Sequence, residues 1–329
     1  MRSAFSVALF ASLASSCLAE QSPGMVRLED AAGSERPLVL SIWYPATDGA
    51  SEEIGGNAVF KGGFGAPNAP VAAGRFPLIL MSHGGLRSAN DSGAWLSAAL
   101  ARAGFIVAEI NAPRPDSAQS AVDEIWRRPG DISRAVDLML NSDAWADHIE
   151  PSRVSAVGFA LGGAAALAVA GGRADVRPFL RACDDISIAG PDCAWYAAQD
   201  VALSSVDQKE LARSRHDPRI TSAVAINPEY MSVFSDGMAL VEIPALVLSL
   251  GDGQPRADLE GKLISEVVIS DLHSFDGFPA CTEAGPEVLS EEEGDPAICG
   301  VSAEARERAH DEIARQIASF LTSGGKTTE

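Results

Sequence analysis

The sequence is short of positive charge. Its 25 lysine and arginine residues face 45 aspartate and glutamate residues, which leaves a formal net charge of -20 at pH 7. Nucleic-acid phosphates and anionic lipid headgroups both bind basic surfaces. The acidic charge balance therefore argues against nucleic acid and against an anionic membrane surface as partners. Hydrophobic residues make up 47% of the chain, which is ample for a packed core and argues against a disordered polymer.

The sequence also lacks an apolar run long enough to cross a bilayer. The apolar residues 4–13 follow Arg2 and precede Cys17-Leu18-Ala19, which is the layout of an export signal with small residues for cleavage. This pattern predicts a signal peptide over residues 1–19, a mature chain over residues 20–329 and a periplasmic or extracellular protein. A lipid anchor on Cys17 is the less favoured alternative, because the leucine of the lipoprotein pattern stands one place too far from the cysteine.

Cysteines with the Cys-x2-Cys spacing of zinc sites are absent as well. Apart from Cys17 the chain has four cysteines, an even set that suits an oxidising compartment. Closure of short loops favours the pairs Cys183–Cys193 and Cys281–Cys299, and four unrelated thiols are the alternative. The sequence implies no metal site and no cofactor.

Apolar segments alternate along most of the chain with amphipathic or alanine-rich ones. Strands are predicted over residues 76–81, 105–110, 220–226 and 245–250, and helices over residues 95–103, 131–140 and 303–321. Continuous apolar strands are typical of a sheet that is covered on both faces. This order predicts an α/β fold with a mostly parallel central sheet of about eight strands and helices on both faces.

Two stretches depart from this alternation. Residues 46–74 are rich in glycine, alanine, proline and asparagine, which predicts a long surface loop. Residues 174–218 form a cap-like insertion over the C-terminal ends of the strands or, alternatively, a longer helical connection.

A turn with no hydroxyl at its centre joins a strand near residues 153–157 to an alanine-rich helix. Gly158, Ala160 and Gly162 alternate there, and the glycines leave room for a sharp turn that lifts the central side chain above the sheet. An ordinary strand-to-helix turn is the alternative interpretation of the glycines alone. Upstream, His83-Gly84-Gly85 follows another apolar strand.

These turns belong to an ordered set of motifs. The set comprises Trp43-Tyr44-Pro45, Ser82-His83-Gly84, Trp126-Arg127-Arg128-Pro129, Gly158 to Gly163, Asp217-Pro218-Arg219-Ile220 and His273. In this order the chain resembles the α/β-hydrolases of the dienelactone hydrolase and platelet-activating-factor acetylhydrolase-like group over nearly all of its mature length. Active members of that group are serine esterases or lipases that need no metal. The resemblance implies an α/β-hydrolase fold and a small-molecule ester or lactone as the ligand.

The resemblance places the nucleophile position at Ala160 and the catalytic histidine at His273. A methyl group cannot attack a carbonyl, and loss of a triad nucleophile typically removes about 10⁶ in turnover. One branch of the group points to Asn227 as the acid position and the other to Asp252. We prefer Asp252, because an asparagine can orient an imidazole but cannot stabilise its charged form. Glu229 is a third option.

The oxyanion hole implied by the resemblance consists of backbone amides. One belongs to Gly85 or Leu86 and the other to Leu161. These donors do not depend on the side chain at position 160. We expect His83 to shape its loop rather than to act as a base.

The sequence thus predicts an exported protein of a carboxylic ester hydrolase family in which hydrolysis is absent or very weak. Ala160 is either natural or an engineered replacement of serine; Asn227 favours the natural origin, because a deliberate knockout needs only one change. A hypothesis from another class is a secreted pseudoenzyme that binds a small molecule or a protein partner. Hydrolysis through Ser82 or Ser274 is the least favoured alternative, because neither serine lies on such a turn. The identity of the ester and the oligomeric state are not specified by the sequence.

Overall fold

A ten-stranded sheet forms the centre of the molecule. The computed structural model describes residues 22–30, 35–86, 88–184, 191–234, 237–251, 263–292, 294–300 and 302–325. In chain order the strands are β1 (Gly24–Glu29), β2 (Val39–Tyr44), β3 (Glu52–Ile54), β4 (Gly63–Pro67), β5 (Phe76–Ser82), β6 (Ile106–Asn111), β7 (Ile149–Phe159), β8 (Ser222–Ile226), β9 (Ala245–Leu250) and β10 (Ile264–Ile269). Across the sheet they follow the order β10-β9-β8-β7-β5-β6-β2-β1-β4-β3.

Helices cover both faces of this sheet. They are α1 (Ala94–Arg102), α2 (Ala118–Ala121), α3 (Glu124–Leu140), α4 (Leu161–Val169), α5 (Val176–Leu180), α6 (Pro191–Ala198), α7 (Gln208–Leu211), α8 (Gly285–Glu291) and α9 (Ala303–Thr322). Successive side chains of a strand point to opposite faces. In β5, Leu78 and Leu80 belong to the core beneath α3, whereas Ile79 and Met81 belong to the core beneath α1 and α9.

The six strands from β10 to β6 in this order run parallel, and β2 is antiparallel to both of its neighbours. The predicted mostly parallel sheet with helices on both faces is therefore confirmed. Its register aligns the C-terminal ends of the parallel strands, since Ser82 lies opposite Gly158 and Leu250 lies opposite Ile269. The turns after β5, β7, β8, β9 and β10 consequently lie along one edge of the sheet, where α/β proteins bind ligands.

The structure differs from the prediction of one long loop over residues 46–74. This stretch contains β3 and β4, and β4 joins the sheet beside β1, where Gly24 lies opposite Ala66. A Cβ atom on Gly65 would lie 2.7 Å from the Trp43 ring, so the strand needs a small residue at this point. The glycine and proline content that predicted a loop is here the composition of edge strands packed closely on an aromatic side chain.

Helix α3 also begins earlier than predicted, at Glu124 rather than at residue 131. Arg36 explains the longer helix, because its guanidinium lies 2.7 Å from Glu124 and 2.8 Å from Asp131, about two turns further along the helix. Pro129 lies between them and removes a single backbone hydrogen bond. The buried ion pairs hold the helix together through the proline.

Both predicted disulfides are present in the structure. Cys183–Cys193 lies within residues 174–218, whose described part holds α5, α6 and α7 between α4 and β8. Cys281–Cys299 joins the segment that follows β10 to the segment that precedes α9. The predicted signal peptide and Cys17 lie outside the described residues. In the part of the chain that the structure describes, no helix is long and apolar enough to cross a membrane.

Candidate active site

The turn between β7 and α4 has a strained backbone. Ala160 has φ 55° and ψ -122°, a conformation that costs a non-glycine residue about 1–3 kcal/mol. Its flanking glycines leave no space for side chains, because a Cβ atom on Gly158 would lie 2.0 Å from the Gly162 carbonyl oxygen. A Cβ atom on Gly162 would lie 1.7 Å from the Ser82 carbonyl oxygen. A nucleophile elbow has a backbone of this kind, and the side chain at the centre of this turn is a methyl group.

The elbow is tied to the neighbouring strand by its own backbone. The Ala160 amide donates to the Ile226 carbonyl at 3.0 Å, and its carbonyl accepts from the amides of Gly163 and Glu229 at 2.9 and 3.2 Å. None of these contacts involves the side chain at position 160. The strained turn therefore persists without a hydroxyl.

Residues 82–86, which we call the oxyanion loop, follow β5 and are held by Arg128 of α3. The two terminal nitrogens of Arg128 donate to the carbonyls of Gly84 and Gly85, each at 2.7 Å. In a trans peptide the carbonyl and the next amide point in opposite directions. Arg128 thus turns the amides of Gly85 and Leu86 away from itself. On α4, Leu161 is the first residue, so its amide has no acceptor within the helix.

His83 joins the oxyanion loop to the segment after β10. Its Nε2 lies 3.0 Å from the Gly277 carbonyl oxygen, and its ring stacks on Phe159 at 5.0 Å between centroids. Burial lowers the pKa of His83 to about 4, so the ring is neutral at physiological pH and donates from Nε2. The geometry agrees with a role in shaping the loop.

His273 follows β10 and begins a single turn of 3₁₀ helix, Ser274–Gly277. Its side chain is exposed, and its amide donates to Asp276 Oδ2 at 2.8 Å. A Cβ atom on Gly277 would lie 2.3 Å from the Phe159 ring. Residues 272–279, which we call the histidine loop, therefore lie against the residue that precedes Ala160.

In the sequence, the two acid positions come before and after β9. Asp252 is outside the described residues, but its neighbour Gly251 lies beside the histidine loop, where a Cβ atom would be 3.9 Å from the His273 Cα. Asn227 has φ 39° and accepts from the Leu250 amide through Oδ1 at 2.7 Å. The Asn227 oxygen thus ties β8 to β9.

Glu229 occupies a position that sequence reasoning ranked third. Its backbone amide binds the Ala160 carbonyl, and its Oε1 lies 3.7 Å from where a Gly85 Cβ would be. Burial, together with Asp192 of α6, raises the pKa of Glu229 to about 8. A buried carboxyl whose protonated form is favoured by burial and by Asp192 therefore lies between the elbow and the oxyanion loop. Its partner Asp192 is 37 residues distant in the sequence, so no local pattern indicates the pair.

Helix α6 packs onto the segment after β8 through more than this carboxyl pair. Tyr196 hydrogen bonds to Tyr230, and both rings are buried among the same acidic groups, which raises the pKa of each phenol. Helix α6 thus contacts residues 229 and 230, which follow β8, the strand that pairs with β7.

A polar cleft borders the oxyanion loop. Its walls come from the oxyanion loop and residues 88–92, the end of β6 with residues 112–115, and the start of α3, and they include Leu86, Glu109, Asn111 and Arg128. Burial raises the pKa of Glu109 to about 8. No group of three histidine, cysteine, aspartate or glutamate side chains suited to a metal ion occurs among the described residues.

Ser82 and Ser274, the alternative nucleophile candidates, lie at the end of β5 and at the start of the 3₁₀ turn. Neither has the left-handed backbone of Ala160. Of positions 82, 160 and 274, only 160 has this backbone, and it carries alanine.

Comparisons with known proteins agree on the fold. No family model matches the chain. Lipase 1 of Moraxella sp. (strain TA144) is 32% identical over 96 residues, which are 29% of this chain and 28% of the lipase. The matched part therefore spans little more than a quarter of that relative.

Two solved structures resemble the chain over almost all of its length. A ferulic acid esterase from Streptomyces cinnamoneus has a TM-score of 0.55 and 16% identity, covering 93% of this chain and 91% of the esterase. The 2,6-dihydroxy-pseudo-oxynicotine hydrolase has a TM-score of 0.50 and 15% identity, covering 92% and 70%. Identities this low show the fold alone. Together with the strand order described above, they establish that the chain has the α/β-hydrolase fold.

Proposed function

We propose that this chain is an exported ester-binding protein of the esterase type that has lost its catalytic hydroxyl. The observation that carries the proposal is the elbow, whose strained backbone and close-packed glycines have no purpose in an ordinary turn. The ligand is a small carboxylic ester or lactone, as the esterase among the structural neighbours suggests. Its carbonyl oxygen would bind the amides of Gly85 or Leu86 and Leu161.

In this proposal His273 is the base position and Asp252 is its acid. Gly251, the residue before Asp252 in the sequence, lies beside the histidine loop, which supports this assignment. Asn227 is less suited, since its oxygen already accepts from Leu250. Hydrolysis is absent or very weak because Ala160 offers nothing to attack the carbonyl. The two disulfides are compatible with export to the periplasm or the extracellular space.

Steady-state hydrolysis of p-nitrophenyl acetate and butyrate tests the proposal. We expect no turnover above background by the chain with Ala160 and clear turnover by Ala160→Ser. Adding His273→Gln to Ala160→Ser should remove that turnover again, because the serine then has no base. Turnover by the unaltered chain that a serine-reactive phosphonate blocks would contradict the proposal.

One observation favours a second function, a binding protein for a small molecule or a protein partner. Asp192 and Tyr196 of α6 contact Glu229 and Tyr230, so α6 packs directly beside the elbow. Such packing suits a site that recognises a ligand without processing it. If Ala160→Ser is inactive although it folds, this second function replaces the first.

A further inference from the structure

Arg306 lies in the first turn of α9 and is almost wholly buried, with 2% of its surface exposed. Burial lowers the pKa of Arg306, which reflects the cost of removing a guanidinium from water. Such a charge is tolerated when hydrogen bonds and a counter-ion surround it. Its partners therefore indicate what the arginine holds in place.

All of these partners belong to two short segments. One terminal nitrogen donates to the carbonyls of Phe278 and Pro279 at 3.0 and 3.4 Å, and the other donates to that of Ile298 at 2.7 Å. Nε lies 3.1 Å from Asp276 Oδ1. Three of the four contacts thus reach the histidine loop.

Asp276 also contacts the backbone of His273. Its second oxygen, Oδ2, accepts from the His273 amide at 2.8 Å, while the Asp276 amide donates to the His273 carbonyl at the same distance. One carboxylate therefore bridges the buried guanidinium and the main chain of the histidine. The amide and the carbonyl of His273 are therefore both hydrogen bonded to Asp276.

Other contacts fasten the same loop from its remaining sides. His83 binds the Gly277 carbonyl, and His310 of α9 lies 2.8 Å from that of Phe278 through Nε2. The Cys281–Cys299 disulfide links the two segments that Arg306 joins, since Pro279 and Ile298 lie just before its two cysteines. Arg306 is the centre of this arrangement, because it contacts both segments and the carboxylate.

We propose that Arg306 is a positioning residue for His273, acting through Asp276. The inference rests on the proposed role of His273 in ester chemistry. Displacing a catalytic group by about 1 Å costs on the order of 100-fold in rate. An arginine that fixes the histidine backbone therefore affects the chemical step more than ligand binding.

The test uses full-length Ala160→Ser as the active background. There we expect Asp276→Asn and Arg306→Lys to lower kcat for p-nitrophenyl butyrate by about 10- to 100-fold with KM changed less than about threefold. The asparagine keeps an acceptor for the His273 amide but loses the charge that faces Arg306. The lysine keeps the charge but cannot reach all the carbonyls. Arg315→Met is the matched control, because Arg315 lies on the same helix, is exposed and pairs with Glu312.

A second readout separates this inference from the proposed function. In the chain with Ala160, the imidazole NMR resonances of His273, assigned with His273→Gln, should shift in Asp276→Asn, while those of His148 and His216 should not. If Ala160→Ser is inactive, the proposed function fails and these resonances alone decide the inference. Unchanged His273 resonances in Asp276→Asn and Arg306→Lys, or a kcat equal to that of Arg315→Met, would overturn it.

Discussion

The oxyanion loop and the histidine loop flank the same elbow, and each is held by an arginine in a different way. Arg128 binds two consecutive carbonyls of the oxyanion loop, and its charge lies 3.6 Å from Glu124 on its own helix. Arg306 also binds carbonyls, but its counter-ion Asp276 belongs to the histidine loop itself. Arg128 thus orients the first loop through backbone carbonyls, whereas Arg306 acts on the second loop also through the side chain of Asp276.

The contacts around the elbow are compatible with an alanine at its centre. The oxyanion amides and the elbow are backbone features that follow from strand register, close-packed glycines and Arg128. None of them needs a hydroxyl at position 160. The histidine loop, in contrast, is expected to be the part of the site that substitutions can damage most easily.

Removing Arg128 should have the largest effect on this comparison. In Ala160→Ser, we expect Arg128→Met to lower kcat for p-nitrophenyl butyrate by about 100-fold, because losing one oxyanion donor costs about that much. The His273 imidazole resonances should stay unchanged, since the contacts described for Arg128 do not reach the histidine loop. Steady-state kinetics and NMR on the same protein check both statements.

Arg127→Met is the control for that experiment. Arg127 is the adjacent residue, is partly exposed and pairs with Asp123. If Arg127→Met and Arg128→Met were equally active, the oxyanion loop would not depend on the arginine. Should Arg128→Met prove unstable, Arg128→Lys provides the same comparison, because a lysine cannot bind two carbonyls as a planar fork.

Removing the two disulfides should have an intermediate effect and distinguish the histidine loop from the rest of the molecule. Their cysteines are 10 and 18 residues apart, so removing either bridge should cost about 3 kcal/mol in the free energy of unfolding by the chain-entropy account. In Ala160→Ser, however, only Cys281→Ser with Cys299→Ser should also lower kcat, because this bridge links the segments around Arg306. An equal loss of kcat from Cys183→Ser with Cys193→Ser would remove the distinction between the two bridges. Denaturant unfolding and kinetics measure both quantities.

The smallest expected effect concerns His83, which connects the two loops. Unfolded His83 takes up a proton near its usual pKa of about 6.5, whereas burial keeps the folded ring neutral down to a pKa of about 4. Its contribution to stability is therefore lost as pH falls through that window, about 2 kcal/mol between pH 6.5 and pH 5. His83→Gln should flatten this part of the stability curve, measured by urea unfolding. His310→Gln is the matched variant and should flatten the same part of the curve, because burial also lowers the pKa of His310, to about 3.

Much of the scaffold was predictable from local patterns. The apolar runs of β5 and β8 and the alanine-rich α4 indicated a covered parallel sheet, and the Gly158–Gly162 spacing indicated the sharp turn. The local spacing of Cys183–Cys193 and of Cys281–Cys299 indicated both disulfides. Each of these signals lies within a short window of sequence, where periodicity and steric limits act directly.

Other features depended on distant residues and were not predictable in this way. The strands β3 and β4 formed from a stretch typical of loops because Trp43 and β1 provide a surface for them. Likewise, nothing near Arg128 or Arg306 in the sequence shows that one contacts residues 84–85 and the other contacts residues 276–279 and 298. The carboxyl pair of Glu229 and Asp192 is a third case, since its raised pKa arises only when α6 packs on the segment after β8.

Covalent labelling tests the central claim most directly, because it asks whether the elbow lacks only a hydroxyl. The chain with Ala160 and its Ala160→Ser variant would be incubated with a serine-reactive p-nitrophenyl phosphonate and weighed by intact mass spectrometry. We predict one adduct per chain on Ala160→Ser, abolished by His273→Gln, and none on the unaltered protein. An adduct on the unaltered protein, or an unlabelled but folded Ala160→Ser, would contradict the account.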